Sequence, residues 1–214
     1  MNQHSSSPES GSLEAWKKVA RRIRVPLGFV TAALYVFEIS RHPVRPAAVV
    51  WSLALVVPGL LLRAAASGTV KKNRELTVTG PYAHTRNPLY LGSMLMAAGF
   101  AVALLSWLLA LALAMGFAII YIPVIASEEQ FLRAAFPGFD EYCRLVPRLL
   151  PRLTAARLPA GRETPDGSAS PAGGFSLALY LRHREYNAAI GAALLYLSLL
   201  YLRPVLGFIQ HRMQ

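Results

Sequence analysis

Apolar residues run along this chain in long blocks, without the regular polar interruptions of a soluble helix or strand. The blocks are about Val25–Ser40, about Pro46–Ala66, a tract from Leu89 to Ala126, and about Tyr186–Leu202. Blocks of about 20 apolar residues match a helix crossing a hydrocarbon core about 30 Å thick. The Leu89–Ala126 tract holds 38 residues. As one straight helix it would run about 57 Å at about 1.5 Å per residue, so it must double back. The turn is expected near Leu105–Trp107, which gives five spans in all. The first block is short for a span. Pro58 and Pro123 fall inside predicted helices and are expected to kink them.

Composition sharpens this picture. Apolar residues make up 54% of the chain and charged residues 15%, against about 25% charged in ordinary soluble domains. Mean hydropathy is +0.39. The expected fold class is an all-α integral membrane protein, a bundle of about five transmembrane helices. The 22 Lys and Arg against 11 Asp and Glu give a net charge of +11. A nucleic-acid binder can carry such a charge, but not usually with this much apolar sequence, so no nucleic-acid partner is expected. The single cysteine, Cys143, excludes an intrachain disulfide and a Cys-rich metal site.

Charge also orients the chain. If Arg63 is counted with the connection after it, 18 of the 22 basic residues fall before the first span, between the second and third, or between the fourth and fifth. Five crossings put those segments on one side, which the positive-inside rule makes cytoplasmic. The N-terminus is then inside. Arg outnumbers Lys 18 to 4, which points to a GC-rich bacterial source and hence an inner membrane. Met1–Ser12 reads as a disordered tail. Leu13–Arg24 reads either as a basic interfacial helix or as a simple positive flank. The expected organisation is therefore tail and basic helix over 1–24, a core over 25–152, a flexible Ala/Pro/Gly-rich linker over about 153–174, and a further membrane helix within 175–214.

Candidate chemistry lies where the hairpin formed by spans three and four opens to the cytoplasm. Asn87-Pro88 is a helix-start signature, Asn as N-cap and Pro at the first helical position. The amides of such a first turn attract anions. Arg86 stands beside them, and Tyr90 lies about one turn inside. The same residues also serve as a plain cap and a positive flank. At the other end, Glu128 and Glu129 are adjacent carboxylates near the close of a span, which is costly. A Glu129–Arg133 pair at i,i+4 would account for one of them and leave Glu128 without a role; the alternative is that they bind a cationic or hydroxyl-rich ligand. Phe136–Pro151 follows as a short amphipathic stretch broken by prolines. Its Arg144 and Arg148 could grip a carboxylate or phosphate through paired hydrogen bonds, or face lipid headgroups.

Taken together, these three elements resemble the isoprenylcysteine carboxyl methyltransferase family, which is related to membrane phospholipid methyltransferases. The matching residues are Gly80, Pro81, Tyr82, Arg86, Asn87, Pro88, Tyr90 and Gly92, then Glu128 and Glu129, then Phe136, Gly138, Tyr142, Val146, Pro147 and Pro151. The resemblance covers about Leu76–Pro151. The chain departs from the pattern at Asn87, where many members have His, and at Pro137 and Phe139. It departs again at Leu145, where an Arg often precedes Val-Pro. Arg144 and Arg148 are then the nearest residues able to hold an acceptor carboxylate.

The resemblance implies a cytosolic pocket for S-adenosyl-L-methionine, contacted by Arg86, Asn87, Tyr90, Leu91, Glu128 and Glu129. It implies an amphiphilic, prenyl- or lipid-like acceptor that enters from the lipid bilayer. Carboxyl O-methylation of an isoprenylcysteine-type substrate is the first expectation. The alternatives are amine N-methylation of a phospholipid, with a carboxylate or His84 as base, or a non-catalytic membrane protein or small transporter. Alanine at Asn87, Glu128 or Glu129 is expected to weaken cofactor binding and leave the fold intact.

Overall fold

The computed structural model describes residues 8–71, 76–156 and 174–212; for 8–21, 23–25, 203 and 205–212 it describes the backbone alone. Among the described residues there are seven α-helices and no strand. They are α1 (Pro8–Arg41), α2 (Pro46–Thr69), α3 (Pro88–Leu104), α4 (Trp107–Ala135), α5 (Phe139–Leu145), α6 (Leu177–Arg182) and α7 (Tyr186–Arg212), with a 3₁₀ turn at Gly80–Ala83 before α3.

Both α2 and α4 are long and apolar enough to cross a bilayer, while α3 and Tyr186–Leu202 of α7 are shorter apolar helices. Only 22% and 17% of the apolar windows of α2 and α4 are buried inside the protein. Their large side chains, Trp51, Val57 and Leu61 on α2 and Trp107, Met115 and Ile122 on α4, point outward. Water would not tolerate so large an apolar surface, so these are not the core helices of a soluble domain; the protein is a membrane protein.

The long apolar tract does fold back, and at the expected place. Leu105 takes a left-handed conformation (φ 50°), and its N–H bonds to the carbonyls of Ala101 and Val102. The Ser106 N–H reaches Ala101 O, which closes the end of α3. The Ser106 hydroxyl then accepts from the Leu109 N–H and caps α4. One two-residue turn ends one helix and starts the next.

Helix α3 packs most extensively on α2, through small residues. On α2, Ser52, Val56, Gly59 and Ala66 are buried on one face; on α3, Pro88, Gly92 and Gly99. A Cβ on Gly92 would sit 2.7 Å from Gly59 O and 2.6 Å from Arg63 Cγ. A Cβ on Gly99 would sit 2.5 Å from Val56 Cγ2. Close backbone approach at small residues is how apolar helices associate without a hydrophobic driving force. Gly92→Ala is therefore expected to cost about 1–3 kcal/mol by overpacking and to lower the melting temperature in detergent. Gly191→Ala, with nothing within 4 Å of the added carbon, is the control and is expected to melt like the parent.

Two boundaries differ from the sequence reading. The basic helix and the first span are one unbroken 34-residue helix, α1, with Pro26 inside it; the division at residue 24 falls mid-helix. At about 1.5 Å per residue it is about 51 Å long. The side chains that would form the amphipathic face of Leu13–Arg24, and the tail through Ser7, lie outside the described residues. The expected linker also begins later than residue 153. The Ala156 N–H bonds to Ala83 O at 2.9 Å, so the core runs at least that far; 157–173 lie outside the described residues. Pro58 and Pro123 sit inside helices that continue through them.

The bundle is completed by α7. The Tyr35 hydroxyl of α1 lies 2.7 Å from Ser198 Oγ, and Ser52 Oγ of α2 lies 2.8 Å from the Tyr196 hydroxyl. Ile39, Val56, Phe100, Leu104, Leu109, Ala192 and Leu199 form the shared core.

Candidate active site

Where the hairpin opens, α3 and α4 carry polar residues toward each other. The segment before α3 is held first. Gly80 (φ 59°) opens the 3₁₀ turn, and the turn's Tyr82 and Ala83 are buried. The chain after α5 then runs back alongside it. Arg86 N–H donates to Pro147 O at 2.9 Å and Arg152 N–H to His84 O at 2.9 Å. The Thr85 hydroxyl lies 3.2 Å from the carbonyls of both Arg148 and Leu149. The Tyr142 hydroxyl donates to Tyr82 O at 2.8 Å. Phe139, Tyr142 and Val146, nearly inaccessible, pack against Leu76, Val78 and Leu132. Gly138 (φ 87°) makes the turn into α5. Gly80, Gly138, Tyr82, Tyr142 and the Val146-Pro147 pair of the sequence pattern thus build one clasp from two distant stretches.

Within this clasp lies a cavity of about 500 Å³. Arg86, Asn87, Pro88, Leu89, Tyr90 and Ser93 line it from the α3 side; Ile120, Tyr121, Val124, Glu128 and Glu129 line it from α4. Arg63 of α2 and Val70, Leu76 and Thr77 after it close another wall. Phe131 and Leu132 of α4, with Tyr82, Phe136, Phe139 and Tyr142, complete it. Five of the six residues expected to hold a cofactor therefore face a single space. The sixth, Leu91, is not on the cavity wall, because one position past Tyr90 turns its side chain to another face of the helix.

The polar groups are arranged as follows. The Tyr90 hydroxyl donates to Glu128 Oε1 at 2.9 Å and bridges α3 to α4. The Tyr90 ring meets Tyr121 edge-on at 4.9 Å, and Tyr121 stacks on Phe117 at 4.1 Å. Glu129 is buried. Its Oε1 lies 3.2 Å from Arg86 Nη1, and Arg148 grips both carboxylate oxygens through Nε and Nη2. Arg86 Nη1 also contacts the Cys143 sulfur, while its Nε is buried with no partner among the described residues. Burial lifts the Tyr82 phenol above its ordinary range, and the carboxylates of Glu128 and Glu185 add to this. Burial does the same to Tyr142, with Tyr82 adding and Arg86 opposing. Both tyrosines thus stay protonated through the neutral range and serve as donors. The hydrogen bond to Glu129 likewise raises Arg148, with burial opposing.

Several expected roles change. Asn87 is the N-cap residue of α3, but its side chain does not cap; its Nδ2 donates to Arg148 O at 2.9 Å and ties the helix start to the clasp. The first-turn amides of α3 therefore receive no side-chain cap. Glu129 does not pair with Arg133, which instead reaches Asp140 Oδ1 at 2.7 Å on the surface. Arg144 is exposed and off the cavity wall. Arg148 is also off the wall, its guanidinium taken by Glu129. The His84 ring faces Arg152 O at 2.8 Å, away from the cavity. The sequence reading missed Arg63, Ser93 and Tyr121. Arg63 had a signal, as the one charge inside the second apolar block; Tyr121 had none. Among the described residues no group of three or more His, Cys, Asp or Glu is placed to hold a metal.

Comparison with known proteins locates this geometry. Residues 63–138 match the family model for phospholipid methyltransferase. The cobalt-zinc-cadmium resistance protein CzcN of Cupriavidus metallidurans is 40% identical over 87 residues, 41% of this chain and 40% of that protein. The nickel-cobalt-cadmium resistance protein NccN of Alcaligenes xylosoxydans xylosoxydans is 41% identical over 87 residues, 41% of each chain. The match spans about two fifths of the length of these curated relatives. No solved structure matches. The matched stretch contains α3, α4 and both carboxylates, so the similarity is to a membrane methyltransferase core.

Proposed function

We propose that this protein is a multi-pass membrane enzyme that transfers a methyl group from S-adenosyl-L-methionine to an amphiphilic acceptor. Its five spans would place the cavity on the cytoplasmic side. The observation that carries the reading is the convergence of Arg86, Asn87 and Tyr90 with Glu128 and Glu129 on one cavity of about 500 Å³.

The residues present suit such a cofactor. The unpartnered Arg86 Nε–H and the uncapped amides at the start of α3 are donors for its carboxylate. Glu128, whose hydrogen bond comes from the neutral Tyr90 hydroxyl, is a partner for its ammonium. The faces of Tyr90 and Tyr121 can receive a sulfonium. When bound, the cofactor supplies an electrophilic methyl group. The cavity would have to hold donor and acceptor in line for transfer, and Ile120, Val124 and Leu132 give it an apolar wall.

Two acceptor groups were expected, and the geometry favours one. A carboxylate, as in an isoprenylcysteine-type substrate, needs a cation to hold it. Arg144 is off the wall, Arg148 and Arg86 share Glu129, and Arg63 pairs with Glu185. An amine-bearing amphiphile needs no such cation, so the pairing of these guanidinium groups counts against the carboxylate alone. The reading that fits best is therefore N-methylation of an amine headgroup, with carboxyl O-methylation second.

Purified protein incubated with methyl-labelled cofactor and mixed membrane lipids is expected to yield a labelled lipid whose label is not released as methanol by mild base. A base-labile label would identify an ester and restore the carboxylate reading. The absence of cofactor binding by calorimetry would leave a non-catalytic membrane protein.

A further inference from the structure

We propose that Glu185, at the start of α7, is a positioning residue for the cavity, acting through Arg63. The α6–α7 segment is then a working part of the site rather than an appended anchor. The inference rests on the methyltransferase reading above, and it concerns a residue beyond the stretch that matches the family.

Arg63 is the one charge within Pro46–Ala66. A guanidinium among apolar positions is costly and is kept where it has work. Its stem lies across Gly92, where a Cβ would come within 2.6 Å of Arg63 Cγ. Its head then reaches in two directions. Nη1 donates to Leu89 O at 3.2 Å and to Ser93 Oγ. Nε and Nη2 donate to Glu185 Oε2 at 3.1 and 2.7 Å. Leu89 and Ser93 belong to the start of α3, which also presents Pro88 and Tyr90 to the cavity. Arg63 lines the cavity and Glu185 does not.

The direction of the guanidinium follows from this. One rigid fork cannot turn toward other partners while Glu185 holds two of its nitrogens. Nη1 is thereby aimed at the first turns of α3. Glu185 is itself delivered by ties that do not involve Arg63. The Ser176 N–H bonds to Gly68 O at 2.8 Å. His183 Nδ1 lies 2.9 Å from Ser67 O. The Phe175 ring covers Gly68. The C-terminal segment thus clamps the end of α2, and through Glu185 it fixes where Tyr90 stands relative to Glu128.

The test uses the full chain in detergent, with calorimetry for S-adenosyl-L-methionine and amide hydrogen exchange over residues 89–93. Glu185→Gln is expected to raise the cofactor Kd at least tenfold and to reduce protection over 89–93, with Glu185→Asp in between. His183→Ala weakens one of the ties that deliver Glu185 but leaves its carboxylate in place, and its Kd is expected to rise clearly less than that of Glu185→Gln. Unchanged affinity and protection in Glu185→Gln would overturn the proposal and leave the methyltransferase reading standing. Equal loss of affinity in His183→Ala would also overturn it, reducing the segment to a general anchor. If the parent protein binds no cofactor, the methyltransferase reading falls, and the exchange data alone decide: lost protection over 89–93 in Glu185→Gln supports positioning, and unchanged protection refutes it.

Discussion

Glu129→Ala is expected to lower the melting temperature in detergent by about 10 °C and to release the segment after α5 to proteolysis. The carboxylate is buried between Arg86 and Arg148. Removing it leaves two guanidinium groups facing each other with no counter-charge. Breaking one partner of a buried pair costs about 3–5 kcal/mol, and each kcal/mol is worth about 2–4 °C in a chain of this size. Glu129→Gln keeps the shape and one acceptor oxygen, so it should lie between. The sequence alone suggested that alanine here would weaken cofactor binding with the fold intact. The geometry makes Glu129 the latch between α4, the start of α3 and the clasp. A melting curve unchanged within about 2 °C, against the several kcal/mol expected, would show that the latch contributes little.

The contrast shows what the sequence made legible. The fold-back at Leu105–Ser106 followed from length, because no 38-residue apolar helix fits one crossing. The meeting of Arg86–Tyr90 with Glu128–Glu129 followed from that fold-back, because the two ends of an antiparallel hairpin must lie together. Spacing along one helix shows which residues share its face, but it does not show which other element arrives there. Glu129 and Arg133 are one turn apart, and the i,i+4 pair was the natural expectation. The buried carboxylate is taken instead by the mostly buried Arg86 and by the two-pronged grip of Arg148, which lie 43 residues before and 19 residues after it in sequence. The Asn87 side chain likewise went to a carbonyl of the clasp. Arg63–Glu185 bridges 122 residues, and nothing in the spacing of the chain joins its two halves.

Glu128→Gln is expected to raise the Kd for S-adenosyl-L-methionine about 10- to 100-fold and to leave the melting temperature of the cofactor-free protein within about 2 °C of the parent. Glu128 is exposed toward the cavity, and its hydrogen bond comes from a neutral hydroxyl, that of Tyr90. It holds no other described element in place by charge, so the fold should be indifferent. Its charge is the part of the cavity wall not already cancelled by a described cation. Losing one charge-assisted contact to a cationic ligand costs about 1.5–3 kcal/mol, and each 1.4 kcal/mol is tenfold in affinity. Tyr90→Phe removes the donor that orients this carboxylate but keeps the ring against Tyr121, and should cost less, about threefold to tenfold. Calorimetry on both variants separates the roles of charge and ring. If affinity holds in Glu128→Gln and turnover alone is lost, the carboxylate serves the acceptor, and the methyl donor must be held from the Arg86 side of the cavity.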